Sequence, residues 1–307
     1  MPSYRNAKML GVLGVVSAIG IASQLSTTGL EAPAQPSILG RGSISLPDRH
    51  EFCSTLTRDG RTAYVGIEHG DWQSIVSYSW DGNNWVGPIH ILGSPEYSAQ
   101  DPYLSKDETR LYFTTRVNGH ADIGYLQLEL DDEWSEPVLL DDPVNSPGNE
   151  YYTSFTSEGD LVFASDREKT QRGDYDIYRA HKNKVGFDEP VPFPEGINTI
   201  GYEADPFIDP GGRYLIFAST RSGGRGRGDL YLSVALDDDQ WSQPIPFDNS
   251  INTTAHELCP AMSLDGTEFM FTSDKDIRWV SSTVVDRLVD EFPSENERGV
   301  VDRIGQE

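Results

Sequence analysis

Short runs of alternating, aromatic-rich apolar positions recur along the chain. They are Leu111-Tyr112-Phe113, Leu161-Val162-Phe163, Leu215-Ile216-Phe217 and Phe269-Met270-Phe271, with Ala63-Tyr64-Val65 as the weakest member. Each follows a turn rich in Asp, Glu or Gly, and alternation beside such turns predicts β-hairpins. A Gly-rich or polar loop then leads to Asp122-Ile123, Asp176-Ile177, Asp229-Leu230 or Asp276-Ile277, which open a third strand; Ser74-Ile75 takes that place first. A second turn precedes an aromatic-x-x-Pro segment: Trp85 to Pro88, Trp134 to Pro137, Phe187 to Pro190 and Trp241 to Pro244. Proline interrupts a central ladder but is tolerated at an edge, so this fourth strand is expected outermost.

Aligned on these runs, the chain contains five copies of one frame. It begins with Glu at 51, 150, 203 and 257 and with Ala at 99, and carries Pro three residues later in three copies (Pro102, Pro206, Pro260). The starts are 48, 51, 53 and 54 residues apart. A repeat of about fifty residues with four short strands describes a propeller blade. The fifth copy lacks the aromatic-x-x-Pro strand, which would leave an open edge. Ser37 to Leu46, ahead of the first copy, is the expected donor. The predicted fold is therefore all-β, a five-bladed β-propeller closed by its N-terminal strand, with a six-bladed ring as the alternative. A sandwich does not explain the repeat. The expected boundaries are 1–34 for a signal peptide, 35–285 for the propeller and 286–307 for an acidic tail, in which Val285 to Val289 has the pattern of a short helix.

The repeat resembles the TolB-like propeller repeats of bacterial envelope proteins. Ala218-Ser219-Thr220-Arg221-Ser222-Gly223-Gly224 with Asp229-Leu230-Tyr231 carries the resemblance best, and Ile197-Asn198-Thr199 and Ile251-Asn252-Thr253 belong to the same style. The first copy departs from it, with Glu68-His69-Gly70 where Ser-x-Arg is usual. The resemblance spans about residues 48–282. It implies the fold, whereas proteins built from such repeats range from periplasmic scaffolds to polysaccharide lyases.

Charge narrows the partners. The 307 residues carry 24 Lys plus Arg against 49 Asp plus Glu, a formal net charge of −25. Such a surface repels phosphate backbones and anionic headgroups, which argues against nucleic acid and membrane-surface partners. Arg5 and Lys8 precede an apolar run from Met9 to Ala22, and Ala32-Pro33-Ala34 offers a small-x-small cleavage pattern. The run is short for a bilayer span, so a cleaved export signal and a periplasmic or secreted monomer without a transmembrane anchor are expected.

Candidate chemistry gathers near the channel. Glu51, Glu150, Glu203 and Glu257, with Asp101 and Asp205, could ring one mouth with oxygens suited to Ca²⁺; the competing reading pairs each Glu with an Arg such as Arg116, Arg167 or Arg221, or with loop N–H groups. Cys53 and Cys259 occupy the same frame position in the first and last copies, leaving a disulfide across the seam and two buried thiols as alternatives. His256, Glu257 and His50 are the candidate catalytic groups. His69, Trp72, His120, Tyr152 and His256, with Tyr97 and Tyr151, break the repeat and are the candidate ligand contacts. Without a Gly-x-Ser-x-Gly motif, no serine-hydrolase elbow is expected. Two functional readings follow. One is an exported, non-catalytic propeller that binds an envelope protein, peptide or glycan at the channel mouth without an obligatory cofactor. The alternative is a small polysaccharide lyase or glycoside hydrolase using the channel-mouth carboxylates and a His.

Overall fold

Each of the five repeats folds into a four-stranded antiparallel sheet, and the sheets form a five-bladed propeller. The computed structural model describes residues 32–117, 119–167, 175–236 and 240–292; residues 1–31 of the expected 1–34 export signal, and the expected acidic tail from residue 293 onward, lie outside them. The inner strands are His50–Leu56, Ala99–Leu104, Glu150–Phe155, Glu203–Ile208 and Leu258–Met262. No helix among the described residues is long and apolar enough to cross a membrane.

The fifth blade is completed by the N-terminal segment, as its missing strand demands. Ser37 pairs with Trp279 and Ile38 with Arg278, antiparallel, and the Leu39 N–H donates to Ile277 O at 2.9 Å. The donated strand is shorter than expected, only Ser37–Ile38. Gly40 then turns the chain with φ +55°, and the Ile44 N–H returns to Gly40 O. The remainder of the expected strand instead packs the seam. Leu39 and Ile44, 1 % and 0 % exposed, join Val65 and Val76 of blade one and Met270 and Ile277 of blade five in one core cluster. Burying two such side chains contributes on the order of 1.5–3 kcal/mol each.

The outer strands also need correction. Trp134, Phe187 and Trp241 make only isolated bridges, and two-residue strands follow each Pro: Val138–Leu139, Val191–Pro192 and Ile245–Pro246. The prolines lack the N–H that would continue the ladder. Blade one keeps a long outer strand, Trp85–Leu92, through two register shifts.

The repeat Glu residues hold blades together. Glu203 accepts from the Thr199 N–H (2.7 Å), Thr199 Oγ1 (2.8 Å) and Ser219 Oγ (2.7 Å). Arg221 lies against Ser219 Oγ and donates to the carbonyls of Gly196 and Ile197. Glu150 with Ser146, Ser165 and Arg167 repeats this knot, as does Glu257 with Thr253 and Ser273. In blade one Arg49 takes over, bonding Glu51, Ile44 O and Tyr78 Oη, which compensates for the missing Ser-x-Arg. Beside three of the knots an Asn imitates a peptide group. Asn198 accepts from the Ile177 N–H and donates to the Ile177 and Phe193 carbonyls; Asn252 and Asn145 do the same at Leu230 and Ile123. Val144-Asn145-Ser146 is thus a third copy of the Ile-Asn-Thr motif.

A helix, Thr283–Asp290, follows the last strand. Val285 is buried, and Val284, Leu288 and Val289 pack on the same core as Phe269 and Leu232. The helix covers the region where the acidic tail was expected to start.

Candidate binding funnel

The third residue of every frame has left-handed backbone geometry. Cys53, Asp101, Tyr152, Asp205 and Cys259 have φ of 42°, 57°, 54°, 53° and 53°, and each coincides with a register shift between the first two strands of its blade. A left-handed residue other than glycine costs of order 1 kcal/mol. Such a kink releases the residue from the pleat and re-aims its side chain. All five line one central cavity, so the kinks build a ring of side chains at its floor.

The cavity is a funnel of about 770 Å³ opening among the turns that join first and second strands. Above the ring its wall carries Ser54, Pro102, Thr153, Pro206 and Pro260, the fourth residues of the five frames, and beyond them Tyr103, Phe155 and Phe207. Tyr112 stacks obliquely on Phe155 with ring centroids 4.5 Å apart, and Tyr103 on Phe155 at 5.6 Å. The rim mixes charges. Arg58 donates to Lys106 O, Lys106 Nζ reaches Ser157 Oγ at 3.1 Å, and Arg213 makes two bonds to Asp209.

Cys53 and Cys259 are joined by a disulfide with Cα atoms 4.9 Å apart, linking blades one and five. Asp101 Oδ1 lies 3.2 Å from Cys53 Sγ, and the Cys259 N–H donates to Asp205 Oδ2 at 2.8 Å, so two carboxyl groups flank the bridge. Both are 4 % exposed. Burial pushes the Asp101 carboxyl well above its ordinary range, and the neighbouring Asp205 adds to the rise. Burial raises Asp205 to about 7, against the opposing pull of the Cys259 N–H and the Tyr152 hydroxyl. Burial and these two carboxyls push the Tyr152 phenol up as well. The floor thus favours neutral forms in isolation and a cation as company.

Among the residues singled out in the sequence, Tyr152, Asp101, Asp205, Cys53 and Cys259 meet at this floor. The others stand elsewhere. Glu51, Glu150, Glu203 and Glu257 are fully buried in their blade knots, and the one group of three potential metal ligands that converges among the described residues is Cys53, Asp101 and Cys259, two of them bonded as a disulfide. His50 Nδ1 pairs with Glu68 at 2.6 Å. His256 bridges to Gly228, and burial beside Arg227 lowers its pKa. His69 stacks on Trp72 at 4.0 Å and bonds Ser74 Oγ. His120 opens an exposed strand end, Tyr97 bridges to Ser94, and Tyr151 accepts from Arg116. Sequence reasoning passed over Thr153 and the aromatic wall; the frame positions themselves, third to fifth after the frame start, carried that signal.

No family model and no curated protein matches the chain. Among solved structures it is similar to TolB from Acinetobacter baumannii, with a TM-score of 0.50 and 13 % identity over 76 % of this chain and 54 % of that one. It therefore spans about half the length of that protein. It is also similar to the catalytic domain of a GH62 α-L-arabinofuranosidase from Coprinopsis cinerea, with a TM-score of 0.52 and 12 % identity over 82 % of this chain and 98 % of that one. At such identities the similarity is one of fold, shared by proteins of different function.

Proposed function

We propose that this chain is an exported, non-catalytic propeller that takes the end of an envelope protein, peptide or glycan into its funnel. The observation that carries the reading is the funnel itself, an approximately 770 Å³ concavity walled by prolines and aromatic rings above a polar floor. Rigid apolar walls with a few buried polar groups are the usual make-up of a recognition site. Export rests on the basic, apolar and small-x-small succession of residues 5–34. Thermal-shift screening of glycans and peptides, with and without Ca²⁺, tests the binding reading. A ligand should stabilise the protein, and Ser157→Trp at the exposed rim should abolish the shift without altering the fold. A shift that survives Ser157→Trp would move the site elsewhere.

The paired carboxyls at the floor favour a second reading, a carbohydrate-active enzyme. Their proton-holding tendency suits a general acid. However, Asp101 touches the disulfide sulfur and Asp205 is bonded to the Cys259 backbone, so both are engaged with the bridge they flank. Product release from polysaccharides, lost in Asp205→Asn with ligand binding retained, would replace the binding reading with the catalytic one.

A further inference from the structure

Two buried side-chain oxygens without a hydrogen-bond partner belong to the funnel: Asp205 Oδ1 and Thr153 Oγ1. Their residues are 4 % and 7 % exposed. A buried acceptor left unmatched is costly, and such atoms mark places where a donor is expected to arrive. The basic side chains that line the funnel, Arg58, Lys106 and Arg213, belong to the rim and are already engaged there. At the floor the polar groups are Asp101, Asp205 and the Tyr152 phenol, with Thr153 directly above. Two carboxyls, two hydroxyls and no cation form an acceptor-rich end to an aromatic-walled passage. A hydroxyl ligand would satisfy one acceptor and leave the charge problem of the paired acids in place. A protonated amine brings three N–H donors and a positive charge, and aromatic faces along the wall favour its passage. A formal charge of −25 over the chain attracts such ligands from a distance.

We propose that the funnel floor is a receptor for a primary ammonium group presented on a slim chain, with Asp205 as its principal acceptor and Asp101 and Thr153 as supporting ones. This deepens the proposed function and rests on the funnel being the binding site. The ammonium takes the place of a proton on the acid pair. The groups facing Asp205 are Asp101 from blade two, Tyr152 from blade three, Tyr202 ahead of its own strand, and the Cys259 N–H from blade five. Asp205 ionises as pH rises through about 7, so binding strengthens over that rise and weakens once the ligand amine itself deprotonates, near 8 for a peptide N-terminus and above about 10 for an alkyl amine.

The test is calorimetric titration of the full chain with triglycine, N-acetyl-triglycine and 1,5-diaminopentane, in buffers of different ionisation enthalpy. The free amines should bind at least tenfold more tightly than the acetylated peptide, with net proton release at pH 6. Triglycine and the diamine distinguish a peptide N-terminus from an alkyl amine; tight binding of either supports the proposal. Asp205→Asn should weaken binding at least tenfold, and Thr153→Val, which keeps the shape of the wall, severalfold. Equal affinity for free and acetylated triglycine, both lost in Ser157→Trp, would overturn the ammonium proposal and leave the funnel reading standing. Failure of both amines to bind at millimolar concentration would overturn it too, with the funnel still judged by its glycan and peptide screen. Binding of CaCl₂ alone that is lost in Asp205→Asn would make the floor a metal site instead.

Discussion

Breaking the Cys53–Cys259 bridge should cost this protein a large part of its stability while leaving its native ring in place. The bond joins residues 206 apart, so it shortens the unfolded chain by closing nearly the whole described propeller into one loop. The chain-entropy relation for a loop of that size gives about 5 kcal/mol at 25 °C. For a domain of this size each kcal/mol corresponds to roughly 2–4 °C in Tm, so reduction should lower the midpoint by about 10–20 °C. The pairing of Ser37–Ile38 with the last blade does not depend on the sulfurs, and the far-UV spectrum at 20 °C should stay unchanged. The assay is thermal unfolding by circular dichroism, oxidised and reduced, beside the double variant Cys53→Ala, Cys259→Ala. Non-reducing peptide mapping records whether the bond is present. The variant removes two buried sulfurs from a small cluster with Phe52, so it should fall slightly below the reduced wild type. A reduced midpoint within about 2 °C of the oxidised one, with the bond mapped as intact beforehand, would refute the loop-entropy reasoning.

Further outcomes follow from the knots, the seam and the floor. Asn198→Ala removes a buried amide that serves Ile177 and Phe193, leaving an N–H and two carbonyls short of a partner; a loss of about 2–4 kcal/mol by urea denaturation is expected, and less than 0.5 would disprove its bracing role. Leu39→Ala and Ile44→Ala should each cost about 2–5 kcal/mol, because both side chains are fully buried in the seam cluster and their loss leaves a cavity there. Asp205 holds its proton up to about pH 7 in the fold but to about pH 4 unfolded, so the native state binds more protons in that window. Its contribution is therefore full below about pH 4 and is lost as pH rises to 7, by up to ~4 kcal/mol. Stability measured at pH 4.5 and 7.5 should differ less in Asp205→Asn than in the wild type, and an unchanged difference would show that another group sets the slope.

The architecture was legible because a propeller writes itself into sequence as repetition. Glu51, Glu150, Glu203 and Glu257 mark the starts of inner strands, and the absent fourth strand of the last repeat foretold a donor from the N-terminus. Edges were less legible. Proline at 137, 190 and 244 pointed to outer strands, but it also cuts them, and the ladder resumes only beyond it. Gly40 likewise ends the donated strand where composition alone suggested a longer one. The funnel was legible only in part. Asp101 and Asp205 were expected at the channel mouth beside the repeat Glu residues, but the glutamates turn into the blade knots, and the burial that sets the character of the two aspartates appears only once the ring closes around them. Residues chosen for asymmetry, such as His69 and His120, lie on a loop and a strand end and do not line the funnel.

A division of labour within the frame explains both the success and the miss. At the first position four of five repeats carry Glu; in three of them serine or threonine hydroxyls bind it into the scaffold, and in blade one Arg49 does so. At the third position the backbone is held constant, with φ between 42° and 57° in every repeat, while the side chains differ: Cys, Asp, Tyr, Asp, Cys. If that geometry served only to turn the strand, glycine would adopt it without strain, yet none of the five is glycine. The strain is accepted so that side chains of three kinds, none of them glycine's hydrogen, converge at one floor. What every blade shares maintains the wheel; what each blade alters at a shared, strained position is where a ligand would be told apart from water.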